Sequence, residues 1–406
     1  MAERYVGIDL NDKYAMISYY MEGMSEPGTF SMVTGNEVYQ IPVCISKRKE
    51  TSQWIYGEEA RRRAKEDKSL CIDGLLKKAL ADDTAELSGT VYDVKELLFL
   101  FLKKLLSLPP QSGGLWPDKL VIVTESMNLE CRKLFRQFAK WADIAKDRIM
   151  LLDYRESFYY YALNQEPELC QNDIALYYYT TGKLLFWRLK SDRQTVPQVV
   201  TIEEKRYEAM LREKDEEFTE IVEASFSKKR ISCVYLIGDG FDGGWMKKSL
   251  SAVCRGRRAF MGKNLFSKGA CYGAAVKTGK KNWPYVYMGD NELKVNVSLK
   301  VENHGKDEFV TLVTAGENWY EAGRECEVIL NGSPSVDFWF QEPRSSEAAV
   351  HSVELSGLPE QKDRTVRLRI AAKPAAPDKI LFRITDMGFG EIFKASEKVW
   401  EYEILV

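Results

Sequence analysis

The sequence predicts an α/β domain followed by an antiparallel β-sandwich. Three observations carry that reading. Buried-looking strands alternate with amphipathic helices over the first 280 residues or so. Character changes near residue 283, where Trp283-Pro284 follows the basic stretch Lys277 to Lys281. Beyond it, short alternating runs separated by turn residues dominate.

The front elements follow in order. Val6-Gly7-Ile8-Asp9-Leu10 reads as a buried strand that turns at Asn11-Asp12-Lys13, and Ala15 to Tyr20 returns as its hairpin partner. Trp54-Ile55-Tyr56-Gly57 leads into an acid-opened helix at Glu58-Glu59-Ala60. Val94, Leu97, Leu98, Phe101, Leu102, Leu105 and Leu106 recur at helical spacing, and Pro109-Pro110 stops that helix before the Gly113-Gly114 loop. Leu120 to Val123 is a buried strand, Asn128 to Ala142 a helix, Ile149 to Leu152 a strand and Glu156 to Leu163 a helix. Ile174 to Leu189 forms a second hairpin with Thr181-Gly182-Lys183 at its tip. Glu203 to Phe226 reads as one charged amphipathic helix with Tyr207, Leu211, Phe218 and Val222 on its stripe. Cys233 to Ile237 is a strand that ends in the turn Gly238-Asp239-Gly240. No internal repeat is visible.

In the rear, strands are expected at Leu293–Val301, Phe309–Thr314, Cys326–Leu330, Val336–Phe340, Val366–Ile370, Ile380–Thr385 and Glu391–Ala395. The expected domains are 1–283 and 292–406, with the linker between them.

Composition narrows the function. The 58 basic and 60 acidic residues balance, which leaves no electrostatic footprint for nucleic acid. No apolar run approaches the roughly 20 residues of a membrane span. The first residues lack a signal-peptide pattern, so a cytoplasmic location is expected. None of the eight cysteines forms a Cys-x-x-Cys pair, and both histidines, His304 and His351, lie in the last quarter. No metal site is therefore expected, and buried reduced thiols are the ordinary reading of the cysteines.

Taken in order, these segments resemble the DnaK-type heat-shock chaperones of the actin-like ATPase superfamily. Val6 to Leu10 is similar to that family's first phosphate loop, Leu236-Ile237-Gly238-Asp239-Gly240 to its adenosine loop, and Gly269 to Ala275 to the helix that closes the ATPase domain. Leu152 to Ser157 stands where the family has its connection motif. Leu355-Ser356-Gly357-Leu358-Pro359 and Phe382 to Ile392 are similar to stretches of its peptide-binding sandwich. The resemblance implies an actin-like (ribonuclease H-like) α/β domain, then the sandwich. It also implies ATP and Mg²⁺ as ligands.

The residues standing at that nucleotide site depart from the family pattern. Asp9 keeps the first carboxylate, but Asn11, Asp12 and Lys13 replace Gly-Thr-Thr. Asp12 is expected to place a negative charge where the terminal phosphate would lie, which Lys13 would offset if it folds back. The second loop, Asp-Leu-Gly-Gly-Gly-Thr-Phe-Asp in the family, falls on Tyr178, Tyr179, Thr180, Thr181, Gly182, Lys183, Leu184 and Leu185, so both acids are gone. Gly238 and Gly240 survive beside Asp239, and Glu156 stands for the connection acid or is simply an acid at a helix N-terminus. Only about fifty residues separate the second loop from the adenosine loop. The family's lobe over the adenine is therefore expected to be reduced. With Val406 standing shortly after the sandwich, the family's helical lid is expected to be absent.

The function expected is a non-catalytic protein- or peptide-binding module on a pseudo-ATPase scaffold, with no catalytic residue and no cofactor. A slow ATPase using ATP and Mg²⁺, and a structural subunit of a larger assembly, are the alternatives. Trp319, Tyr320, Phe338, Trp339 and Phe340 are the candidate partner anchors, because alternation turns about half of the Phe338 to Phe340 run away from the core.

Overall fold

The structure, a computed structural model, describes residues 3–48, 51–66, 71–87, 89–108, 117–180, 182–208, 210, 213–358, 364–390, 393–396 and 398–406. The expected helix stop at Pro109-Pro110, the Gly113-Gly114 loop, Leu211, Pro359, Glu391 and Ile392 lie outside them. The chain divides into one unit of residues 1–189 and 203–283 and a second of 190–202 and 284–406.

In the first unit, β1 (Arg4–Leu10) is buried along six of its seven residues. Such a strand must be central, and its near-continuous apolar reading reflects cover on both faces. It pairs antiparallel with β2 (Tyr14–Met21) and parallel with β3 (Lys119–Thr124), which pairs parallel with β4 (Ile149–Asp153). The second sheet repeats this arrangement. There β5 (Asp173–Thr180) pairs antiparallel with β6 (Lys183–Asp192) and parallel with β8 (Ile231–Ile237), which pairs parallel with β9 (Arg258–Gly262). The sequence shows no repeat because only the topology is duplicated. The strands share a buried pattern, not residues.

Beside short further strands and 3-10 turns, the described residues of this unit hold eight α-helices: α1 (Gly57–Glu66), α2 (Leu75–Leu80), α3 (Val94–Leu106), α4 (Leu129–Trp141), α5 (Tyr154–Leu163), α6 (Lys214–Phe226), α7 (Lys248–Cys254) and α8 (Leu265–Lys277). Asn128 caps α4 by accepting from Cys131 N at 2.9 Å, and Asp153 caps α5 by accepting from Glu156 N at 2.9 Å. The small residues of α8 let it lie against α5. A Cβ added at Gly269 would stand 2.2 Å from the Ser157 carbonyl oxygen, so only glycine permits this approach.

One expected element is corrected. Glu203 to Phe226 is not a single helix. Its start belongs to strand β7 (Gln198–Glu208), and only Lys214–Phe226 is helical. Glu, Lys and Arg in the exposed half of β7 read as helix formers, and sheet pairing overrides that weak preference.

In the second unit, the segment 190–202 brings Val199 opposite Val286 of β10 (Tyr285–Tyr287). The rest is two four-stranded antiparallel sheets. One has the order β12–β11–β14–β15, from β11 (Asn296–Asn303), β12 (Lys306–Val313), β14 (Ser335–Gln341) and β15 (Ala349–Glu354). The other has the order β13–β16–β17–β18, from β13 (Arg324–Ile329), β16 (Arg367–Ala376), β17 (Lys379–Asp386) and β18 (Val399–Leu405). Their inner faces share one core that includes Leu299, Phe338, Ile370, Phe382 and Ile384. Phe338 and Phe382 meet at 4.2 Å between ring centroids. The strand expected at Glu391–Ala395 is replaced among the described residues by a single bridge between Phe389 and Phe393. Strands β15 and β18 were not expected. Both are edge strands. β15 is exposed at all positions but Val353, which hides its alternation, whereas β18 alternates, and its Trp400, Tyr402 and Ile404 are the available signal.

Candidate functional site

Strand β1 ends in the buried carboxyl of Asp9, 1% exposed. Tyr154 begins α5, and its hydroxyl donates to Asp9 Oδ1 at 2.5 Å. Burial pushes the Asp9 carboxyl up to about 7 from an ordinary 3.8, and the Tyr154 hydrogen bond opposes part of that rise. Burial, and then the neighbouring Asp9 charge, hold the Tyr154 hydroxyl well above its ordinary range.

Aromatic rings close the space beside Asp9. Tyr154 stacks on Phe266 with centroids 3.9 Å apart and planes 5° apart. Tyr178, at the end of β5, meets Tyr154 edge-on at 5.7 Å and Phe266 edge-on at 5.8 Å. Trp187 backs the cluster, 6.3 Å from Tyr178. Asp9, Tyr14, Tyr154, Tyr178, Gly238 and Phe266 are among the residues that line what remains, a cavity of about 10 Å³. That is room for about one water molecule.

The loop residues divide into those brought to this place and those held elsewhere. Asn11 Oδ1 accepts from Lys13 N at 2.9 Å and Tyr14 N at 3.0 Å, a side-chain turn that shapes the first hairpin tip. Lys13 Nζ reaches Asp239 Oδ2 at 3.2 Å, so the first loop and the Gly238 loop do meet. The ion pair is substantially exposed and contributes less than about 1 kcal/mol. Gly238 has φ +111°, and a Cβ there would lie 2.1 Å from the Tyr179 carbonyl oxygen. Gly240 packs under the Tyr179 ring, and its carbonyl accepts from Trp245 Nε1 at 3.2 Å.

Asp12 is absent from the cavity lining. Its Oδ1 accepts from Lys77 N at 2.6 Å in the first turn of α2, where the cap residue Gly74 has no side chain to offer. Unpaired N–H groups and the helix dipole draw the carboxylate there.

Glu156 lies in the first turn of α5, 2% exposed, with Lys277 Nζ at 3.0 Å. It is absent from the cavity lining. That placement matches the helix N-terminal acid. Thr180 and Lys183 pair across the second hairpin tip, Gly182 turns there with φ +93°, and Lys183 forms an ion pair with Glu125. None of the three lines the cavity, and Thr181 lies outside the described residues. Among the described residues no group of three or more His, Cys, Asp or Glu side chains could hold a metal ion.

Tyr154, Phe266 and Tyr14 were not expected here. Tyr178 was noted only as a lost acid. Its bulk was the available signal. Nothing in the spacing announced Phe266.

In the second unit, the partner candidates separate by strand alternation. Phe338 and Phe340 are corrected: both belong to the core and are closed to a partner. Trp339 points outward, half-buried, edge-on to Phe309 at 5.6 Å. Trp319 is partly buried against the core and sits edge-on to Tyr320 at 5.8 Å. No described helix is long and apolar enough to cross a membrane.

Comparison with known families follows the same division of the chain. Residues 292–406 match a domain of unknown function, DUF8552. A search of curated proteins finds no match. Residues 26–290 match the C-terminal model of a family of unknown function, DUF5716. Because that match covers well over half of the 406 residues, the chain belongs to the DUF5716 family.

Proposed function

We propose that the chain is a pseudo-ATPase scaffold, related to the DnaK-type chaperones, that acts by binding protein through its β-sandwich. The duplicated arrangement of hairpin and parallel strands supports an actin-like first unit, and the paired four-stranded sheets support the sandwich. A cytoplasmic location goes with this reading.

One observation carries it. Phosphate binding in such a scaffold needs an open cleft, backbone N–H groups facing it and carboxylates for Mg²⁺. Here Tyr154, Tyr178 and Phe266 fill the space beside Asp9 and leave about 10 Å³. A triphosphate cannot enter without ejecting a buried aromatic cluster. Burial raises the Asp9 carboxyl to about 7, which weakens it as a Mg²⁺ ligand. The expected result of titrating the full chain with ATP and Mg²⁺ by calorimetry is no saturable heat, with no phosphate released. Mg²⁺-dependent turnover that disappears in Asp9→Ala would overturn the scaffold reading.

A further inference from the structure

Among the described residues the sandwich has four edge strands, and three of them are guarded against pairing. β12 opens with Lys306-Asp307-Glu308, β13 reads Arg324-Glu325-Cys326-Glu327, and β18 carries Glu401 and Glu403. Charges of this kind discourage another strand from adding. β15, Ala349-Val350-His351-Ser352-Val353-Glu354, has no Lys, Pro or Gly, and its pairing with β14 runs without a register shift.

Its hydrogen-bond pattern can be read residue by residue. Leu355 N donates to Pro334 O at 2.7 Å just beyond the strand. Antiparallel pairs alternate between bonded and non-bonded. Val353, His351 and Ala349 therefore bond to Val336, Phe338 and Phe340, and the N–H and C=O groups of Val350, Ser352 and Glu354 turn outward. The Tyr402 hydroxyl closes the Glu354 carbonyl at 2.6 Å. Val350 and Ser352 keep an exposed pair of donors and acceptors, spaced two residues apart along the strand.

The outer face beside this edge is apolar at Val350 and polar at Ser352, whose hydroxyl donates to Asp337 opposite it. Val350, 46% exposed, lies opposite Trp339 on the outer face, and Trp339 meets Phe309, 57% exposed. We infer that β15 is a strand-addition site, where an extended apolar segment of a protein partner docks as a fifth strand beside Val350 and Ser352. Main-chain groups repeating every second residue are matched by another extended backbone, and an apolar residue facing Val350 lengthens the row already formed by Phe309 and Trp339. The inference rests on the protein-binding reading of the sandwich and assigns its location.

The test uses the full chain and fluorescence anisotropy. The probe is a fluorescein-labelled peptide of alternating valine and threonine with terminal lysines for solubility. A second version is N-methylated at alternate amides. Ser352→Pro removes the outward N–H and leaves the backbone bonds to β14 in place, since proline is tolerated on an edge whose N–H faces solvent, but it also removes the bond from the Ser352 hydroxyl to Asp337 of β14. Val350→Lys provides a second variant that leaves every backbone bond in place. The expected result is saturable binding that falls at least tenfold with the N-methylated peptide and with each variant, while Val350→Lys leaves the melting temperature unchanged.

Binding that survives N-methylation and both variants overturns the edge assignment and leaves the protein-binding reading standing. Absence of binding by the unaltered chain also overturns the edge assignment, while the nucleotide titration judges the scaffold reading independently. A dimer of the unaltered chain that Ser352→Pro converts to monomer in sedimentation gives the edge to a second copy and overturns the inference.

Discussion

Asp9 shows how one residue can keep its place while its chemistry changes. A carboxylate that binds Mg²⁺ must be charged, and this one is buried against Tyr154 with its pKa pushed up to about 7. The unfolded chain releases the proton near 3.8. Stability from the neutral acid is thus fully present below pH 3.8 and is lost as pH rises through about 7. The span of about three pKa units corresponds to at most about 4 kcal/mol. Asp9→Asn should therefore match the unaltered chain near pH 4 and exceed it in urea melts at pH 8, with a flatter pH dependence between. Equal stability at pH 8 would show that Asp9 is charged and solvated. Tyr154→Phe removes the hydrogen bond that lowers the Asp9 pKa, so the loss should move to higher pH. The sequence announced Asp9 as the retained acid and Tyr178 as a lost one. It did not announce that the two would share a closed cluster, because that depends on Phe266, 88 residues beyond Tyr178 in the chain.

Elements were legible where burial imposes a clear period. The hairpins β1–β2 and β5–β6, the strands β3, β4 and β8, and helices α3, α4 and α5 stand where periodicity and caps put them. Legibility failed at exposed edges. The outer half of β7 carries charges on nearly every residue and reads as helix, while β15 is exposed at all positions but Val353. Pairing, which sequence periodicity does not reveal, decides these cases. The crossing of α5 and α8 illustrates the contest between local and tertiary terms. Alanine favours a helix over glycine by roughly 1 kcal/mol, so propensity alone predicts that Gly269→Ala stabilises α8. The added Cβ would meet the Ser157 carbonyl oxygen at 2.2 Å, and that atom belongs to the backbone of α5. We expect a net loss of at least about 2 kcal/mol in denaturant melts, in the range for overpacked sites. A gain in stability would mean that the helices separate freely.

At the scale of the whole chain, composition placed a boundary at 283–291, and the family matches meet between residues 290 and 292. The contact pattern adds a term that linear reading missed: residues 190–202 belong with the second unit. Their share in it is local. Val199 and Val200 pair with Val286 and Tyr287, whereas the sandwich core runs from Leu293 to Trp400 and includes none of 190–202. A fragment of residues 292–406 therefore contains every buried residue of that core. It should express in soluble form and melt in one cooperative transition. The fragment 1–283 keeps both duplicated sheets and the aromatic cluster beside Asp9 but loses β10, the pairing partner of residues 198–200. It should stay folded while 190–202 becomes the first site of proteolytic cleavage, because its backbone hydrogen bonds to β10 are gone. Limited proteolysis with mass mapping, run on both fragments and the intact chain, separates the possibilities. Cleavage of 1–283 spread across its sheets would show that the first unit needs the second in order to fold. Resistance at 190–202 would show that β10 does not hold that hairpin.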